Sequence, residues 1–185
     1  MNPVRKAVQR VSTRVYRPSD RLRGFSRVPG FERLAIGALP VADEADRLPS
    51  DGFTHVVNCR KGLQNVLSQD LWIERQVFGA DHVAHADMWD HGRPQDPALW
   101  VPAATFGARA LRDDPEAQVL VHCQQGRRRS LFVAYAILRQ HGFGPDEAAR
   151  AVLEARPFGH LVPTYRAGVE EWLRSTGPQA PPALR

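Results

Sequence analysis

Cys123 and Arg129 stand six residues apart, with Gly126 between them and a hydroxyl, Ser130, directly after. A thiol, a guanidinium and a glycine at this spacing can handle a phosphoryl group. Glycine lets the backbone curl so that successive N–H groups converge on one centre, which makes an anion cradle. A helix beginning near Arg129 would add the positive end of its dipole. The same field favours a thiolate, since cysteines at helix N-termini beside cations have pKa values of roughly 3.5 to 7.5. Arg129 can grip two phosphoryl oxygens in a fork that lysine cannot reproduce, and Ser130 can donate its hydroxyl proton to the sulfur. A buried cysteine followed by a solvated basic run would require none of these coincidences.

Such a loop needs a strand to deliver the cysteine and a helix to receive the arginine. Val119-Leu120-Val121 is an apolar run suited to a buried strand, and Leu131 to Gln140 is apolar nearly all round, as expected of a helix through the middle of a domain. Upstream, Arg33 to Gly37, Phe53 to Cys59 and His82 to His85 read as strands, and Val41 to Leu48 and residues 64–77 as helices. Asp96-Pro97 supplies an N-cap and a first-turn proline for a long helix with Leu99, Ala103, Phe106 and Leu111 facing inward, whose first turns Pro102 could kink. Further helices start at Gly144-Pro145 and at Pro163. Strands alternating with helices predict an α/β fold: a single compact domain with a mostly parallel central sheet flanked by helices, its ligand at the carboxyl ends of the strands.

His122-Cys123-x-x-Gly126-x-x-Arg129-Ser130 resembles the signature of the cysteine-dependent protein tyrosine phosphatase superfamily, matching every fixed position. A rhodanese-type sulfurtransferase also ends a cysteine loop on a basic residue, but His before Cys and Arg-Ser at the end suit the phosphatase better. From Phe31 to about Arg174 the order of elements is similar to a dual-specificity phosphatase domain, with Ile-Gly-Ala-Leu-Pro near its start and Thr-His-Val-Val-Asn in the second strand. The resemblance implies a phosphatase acting on phosphotyrosine, phosphoserine or phosphothreonine proteins through a phosphocysteine intermediate, without metal or cofactor. It implies that Cys123 is the nucleophile and Arg129 the phosphate clamp. Ser130 and His122 would support them, His122 through a hydrogen bond to nearby backbone. Gln124, Gln125, Gly126, Arg127 and Arg128 would form the substrate-facing loop. It also implies an aspartate on a movable upstream loop as general acid. Asp90, 33 residues before the cysteine and heading an Asp-x-x-x-Pro run, fits that role; Asp87 at 36 residues is the alternative.

The extra arginines, with Arg60 and Lys61 nearby, suggest a substrate carrying more than one negative charge. Phosphoinositides, phosphatidylglycerophosphate-like lipids and acidic phosphopeptides qualify, so a lipid phosphatase is the second reading; a loop that captures phosphate without turnover is a third. Cys59 ends the second strand, on the sheet edge where Cys123 should lie. As in some members of the family resembled, it is a redox candidate that could trap an oxidised Cys123 as a disulfide.

The 185 residues give room for one full core. Two cysteines do not suit a disulfide-stapled secreted fold and fit a reducing, cytoplasmic setting; the seven histidines lack the paired spacing of a zinc site. No run approaches the roughly 18 apolar residues of a membrane span. The net charge of +5 is concentrated in residues 1–30, where eight basic residues face the single acid Asp20. Val4, Val8, Val11 and Val15 recur there at helical spacing, so this basic arm could lie on an anionic membrane surface, placing the protein at a membrane's periphery. Nucleic acid is not expected, because the arm lacks interleaved aromatics beyond Tyr16 and Phe25. The phosphatase-like domain is then residues 31–175, and the proline-rich residues 176–185 are a tail expected to be disordered.

Overall fold

The computed structural model describes residues 22–176. The valine-spaced part of the basic arm and all of the tail beyond Thr176 therefore lie outside the described residues. At the centre runs β5 (Val119–His122), buried along its whole length, as a strand covered on both faces should be. It is flanked in parallel by β2 (Phe31–Gly37) and β3 (His55–Asn58), and β4 (Val83–His85) extends the sheet in parallel beyond β3. The order is β1-β2-β5-β3-β4. Register sets Gly37 and Asn58 on either side of His122, so the carboxyl ends of three strands meet where Cys123 begins the loop.

The edge strand β1 (Phe25–Val28) pairs antiparallel with β2 through the turn at Pro29-Gly30, where Gly30 takes φ +74. This corrects the sequence-based boundary: the last residues assigned to the basic arm are part of the sheet. Arg27 bonds the Glu32 carbonyl and Gln118, and its charge is held 5.2 Å from the Phe53 ring. A segment with regularly spaced arginines groups with the basic arm in sequence because pairing with β2 is a long-range event that charge patterning does not report. At the other end, Thr176 closes the last helix and does not open the tail.

Seven α-helices surround the sheet among the described residues, besides a 3-10 turn at Ala80–His82: α1 (Ala42–Ala45), α2 (Gly62–Ser68), α3 (Asp70–Phe78), α4 (Pro97–Asp113), α5 (Arg129–Gln140), α6 (Pro145–Ala155) and α7 (Pro163–Thr176). The Asp96 carboxylate accepts from the Ala98 N–H, and Pro102 lies within α4 without ending it. Residues 64–77, expected as one helix, are broken at Gln69, a non-glycine residue in the left-handed region at φ +60. The break is stabilised by side chains: the Ser68 hydroxyl and the Asp70 carboxylate, on either side of it, both bind the buried Arg60.

Period-two alternation decides which side chains share a layer. Leu34, Ile36, Val57, Val119 and Val121 face the larger core, where α5 is buried against the sheet and α4, α6 and α7. Ala35 and Leu120 face a smaller cluster with Leu48 and Phe53. Following the same parity, Cys59 and Cys123 point to the α5 side, and Asn58 and His122 to the side of α3.

Candidate active site

Beyond His122 the chain curls between β5 and α5. Gly126 takes φ +63, and a Cβ there would sit 2.7 Å from the Gly37 carbonyl group and 2.8 Å from the Arg156 guanidinium. Only glycine satisfies both the backbone angle and this contact. The loop is fastened to β2 by the Cys123 N–H to the Gly37 carbonyl, and by the Leu39 N–H to the Gln124 carbonyl, both at 3.4 Å. Arg156, at the end of α6, donates to the Gly126 carbonyl at 3.2 Å and to the Leu22 carbonyl at 2.7 Å.

Cys123 is buried, and burial alone would raise its thiol pKa. The Arg129 charge, the Ser130 hydroxyl at 3.4 Å, and the backbone N–H groups of Ser130 and Arg127 outweigh that and bring it down to about 7. The sulfur is therefore substantially thiolate near neutrality. Arg129 is held from behind through one terminal nitrogen, which donates to the Met88 carbonyl at 3.0 Å and to Gln64 at 3.1 Å. Its Nε makes no hydrogen bond among the described residues. Asp90 lies beside it, 3.8 Å from Arg129 Nε and 3.4 Å from the Arg128 guanidinium.

The loop carrying Asp90 is tied to α7: the Tyr165 hydroxyl accepts from the Gly92 N–H at 3.1 Å and from Gln95 at 3.2 Å, and Thr164 donates to the Gly92 carbonyl at 2.8 Å. Asp87 is differently engaged. Burial pushes its carboxyl up, but the Lys61 ammonium at 2.9 Å and the Gly62 N–H at 2.6 Å outweigh burial and hold it below the usual carboxylate range.

Behind the loop is a buried polar network of which the sequence reading contained only fragments. His122 is enclosed, and its Nε2 lies 2.7 Å from the Glu74 carboxylate of α3. The ring makes no backbone hydrogen bond among the described residues; its Nε2 faces Glu74 instead. Burial would push the imidazole down; Glu74 and, behind it, Asp70 outweigh burial and raise it. Asn58 donates to Asn65, Asp70 and Glu74, locking α2 and α3 to the end of β3. Arg60 is fully buried and bound to Asp70 at 2.6 Å, so it faces the network and not a substrate; Lys61 is occupied by Asp87. Glu74, Gln64 and Arg156 left no signal in the sequence, and Asn58 only its place at the end of Thr-His-Val-Val-Asn, since each acts across a tertiary contact.

The remaining loop residues spread outward. Gln124 and Gln125 are half-buried. Arg127 is exposed and donates to the Phe158 carbonyl at 3.0 Å, and Arg128 reaches across to Asp90. Cys59 is enclosed beside Cys123: its N–H donates to the His122 carbonyl at 2.8 Å, and the two thiols are free. Burial, then the charge on Cys123, push the Cys59 thiol well up, so it stays protonated. Among the described residues no group of three His, Cys, Asp or Glu side chains is arranged to hold a metal. No described helix is long and apolar enough to cross a membrane. A separate groove of about 780 Å³ between His55, His82, Phe106 and Arg109 opens at the amino-terminal end of the strands, away from Cys123.

This sheet, this loop at its carboxyl edge and this helical half make up the fold of the dual-specificity phosphatases. Human DUSP28 superposes with a TM-score of 0.66 at 22% identity, covering 86% of this chain and 97% of its own. PTPMT1 in complex with PI(5)P gives 0.65 at 21% identity over 77% of this chain and 90% of its own, and the kinase associated phosphatase gives 0.68 at 17% identity over 85% and 97%. No family model matches the chain.

Proposed function

We propose that residues from about Phe25 to Thr176 form a cysteine-dependent phosphatase that hydrolyses phosphate monoesters. The observation that carries this is the Cys123 thiol brought down to about 7 inside a loop whose cation, Arg129, has a carboxylate beside it. The Cys123 thiolate attacks phosphorus, and the bond from phosphorus to the leaving oxygen breaks as Asp90 gives that oxygen its proton. A water then attacks the phosphocysteine and passes a proton to Asp90; the sulfur–phosphorus bond breaks, releasing phosphate and restoring the thiolate. Arg129 and the loop N–H groups bind the phosphoryl oxygens throughout, with the unbonded Arg129 Nε available to one of them.

The hydrogen bonds that hold Asp87 ionised favour Asp90 as the acid. The outward set of Arg127 speaks against its gripping the same phosphoryl group as Arg129. A complete set of nucleophile, clamp and acid at one cleft favours turnover over mere capture of phosphate. The test pairs turnover with trapping. Cys123→Ser abolishes hydrolysis of a soluble aryl phosphate while still binding vanadate. Asp90→Asn lowers kcat by about 100-fold, most for poor leaving groups, and Asp87→Asn does not. Retained turnover in Cys123→Ser would overturn the covalent route, and a reversed order of the two aspartates would move the acid to Asp87.

A further inference from the structure

Helix α2 is inside out. Its inward face is polar: Gln64 bonds Arg129, Asn65 bonds Asn58 and the Arg60 carbonyl, and Ser68 bonds Arg60. Its outward face is apolar, with Leu63 60%, Val66 66% and Leu67 47% exposed. Helices on globular proteins show the opposite arrangement, because an apolar face toward water gains nothing from folding. The three residues sit at i, i+3 and i+4, so they form one stripe rather than scattered singles.

The stripe belongs to the helix whose start bonds Asp87 and whose Gln64 holds Arg129, so it adjoins the Cys123 loop. Trp89, on the Asp90 loop, is 48% exposed, and the Lys61 ammonium lies 5.8 Å from its ring. Phe158, 60% exposed, follows on the flank where Arg127 binds its carbonyl. The stripe, Trp89 and Phe158 thus stand on three segments that each bond the Cys123 loop or carry Asp90: Gln64 holds Arg129, Trp89 precedes Asp90, and the Phe158 carbonyl accepts from Arg127. Interspersed with them are the exposed Arg127 and Arg93 and the half-exposed Arg128, while Asp87 and Asp90, the carboxylates facing these groups, are paired with Lys61 and with Arg128 and Arg129.

We infer that this surface docks on an anionic phospholipid bilayer, and that the cleft takes a phosphate monoester carried on a lipid headgroup. This rests on the phosphatase reading and names its substrate class. Protruding apolar side chains enter the boundary between headgroups and acyl chains while the arginines among them meet lipid phosphates, the combination by which interfacial helices bind. The adjoining Cys123 loop then faces the headgroup plane.

The test compares the full chain with Leu63→Gln/Val66→Gln/Leu67→Gln in sedimentation with vesicles of phosphatidylcholine alone or mixed with phosphatidylglycerol. The wild type binds the anionic vesicles, and the triple variant partitions at least tenfold less while keeping the wild-type melting curve and aryl phosphate rate. On a phosphoinositide monophosphate embedded in the same vesicles, the variant's rate falls in parallel. Equal partitioning of the two proteins overturns the inference, as does a wild type that ignores anionic vesicles. So does a variant whose loss appears on phosphopeptides and not on vesicles, which would make the stripe a protein-docking face. If the wild type turned over no aryl phosphate, the phosphatase reading would fall, while vesicle partitioning would still decide the surface.

Discussion

Cys123 and Cys59 end neighbouring strands and face the same layer, yet their thiols are driven in opposite directions. Arg129 and three hydrogen-bond donors act on Cys123, whereas Cys59 has burial and the charge of its neighbour against it. A depressed thiol pKa places the reactive form above it, so alkylation of Cys123 by iodoacetamide should rise with pH through a midpoint near 7. Ser130→Ala removes one donor and should move that midpoint upward; an unmoved midpoint would leave Ser130 without influence on the sulfur. We propose that, once oxidation to sulfenic acid removes the Cys123 charge that opposes its ionisation, Cys59 can ionise and attack that sulfur, forming the disulfide with loss of water. After mild peroxide and then reductant, wild type should recover activity and Cys59→Ser should lose it permanently; equal recovery would make Cys59 a packing residue. At this scale the sequence was most informative, because the nucleophile, glycine, clamp and hydroxyl are local in the chain. Arg60 misled, since a charge next to a strand end looks the same whether it turns to substrate or to a buried Asp70.

The elements that position these residues were legible wherever one physical rule dominated. β5 and α5 followed from hydrophobicity all round, and α4 from its cap and proline. The break at Gln69 and the pairing of β1 did not follow, because each depends on partners distant in sequence: Arg60 for the break, β2 for the strand. The break has an energetic test. Asp70→Ala leaves the Arg60 guanidinium in the interior without this carboxylate, and removing one partner of a buried pair costs about 3 to 5 kcal/mol. Urea denaturation should show a loss of that size, with an unchanged slope. A loss under about 1 kcal/mol would mean the network relaxes around the gap and does not hold α2 and α3 in place.

For the whole molecule, the corrected start of the domain changes what a truncation would mean. Deleting residues 1–21 takes away no strand of the sheet, which begins at Phe25, and serves as the reference for melting temperature and aryl phosphate turnover. Deleting residues 1–28 removes β1, Arg27 and the Leu22 carbonyl that Arg156 holds, and should lower both. Equal behaviour of the two deletions would mean that the edge strand contributes little to the fold.

Arg156 bonds the phosphate loop with one nitrogen and the start of the domain with another. If an oxyanion steadies the Gly126 turn, this side chain is the route by which the Leu22 carbonyl would share in it, and any such coupling is reciprocal. A load on the chain ahead of Leu22 would then reach the Gly126 turn through a single guanidinium, and Arg156→Ala would cut that link.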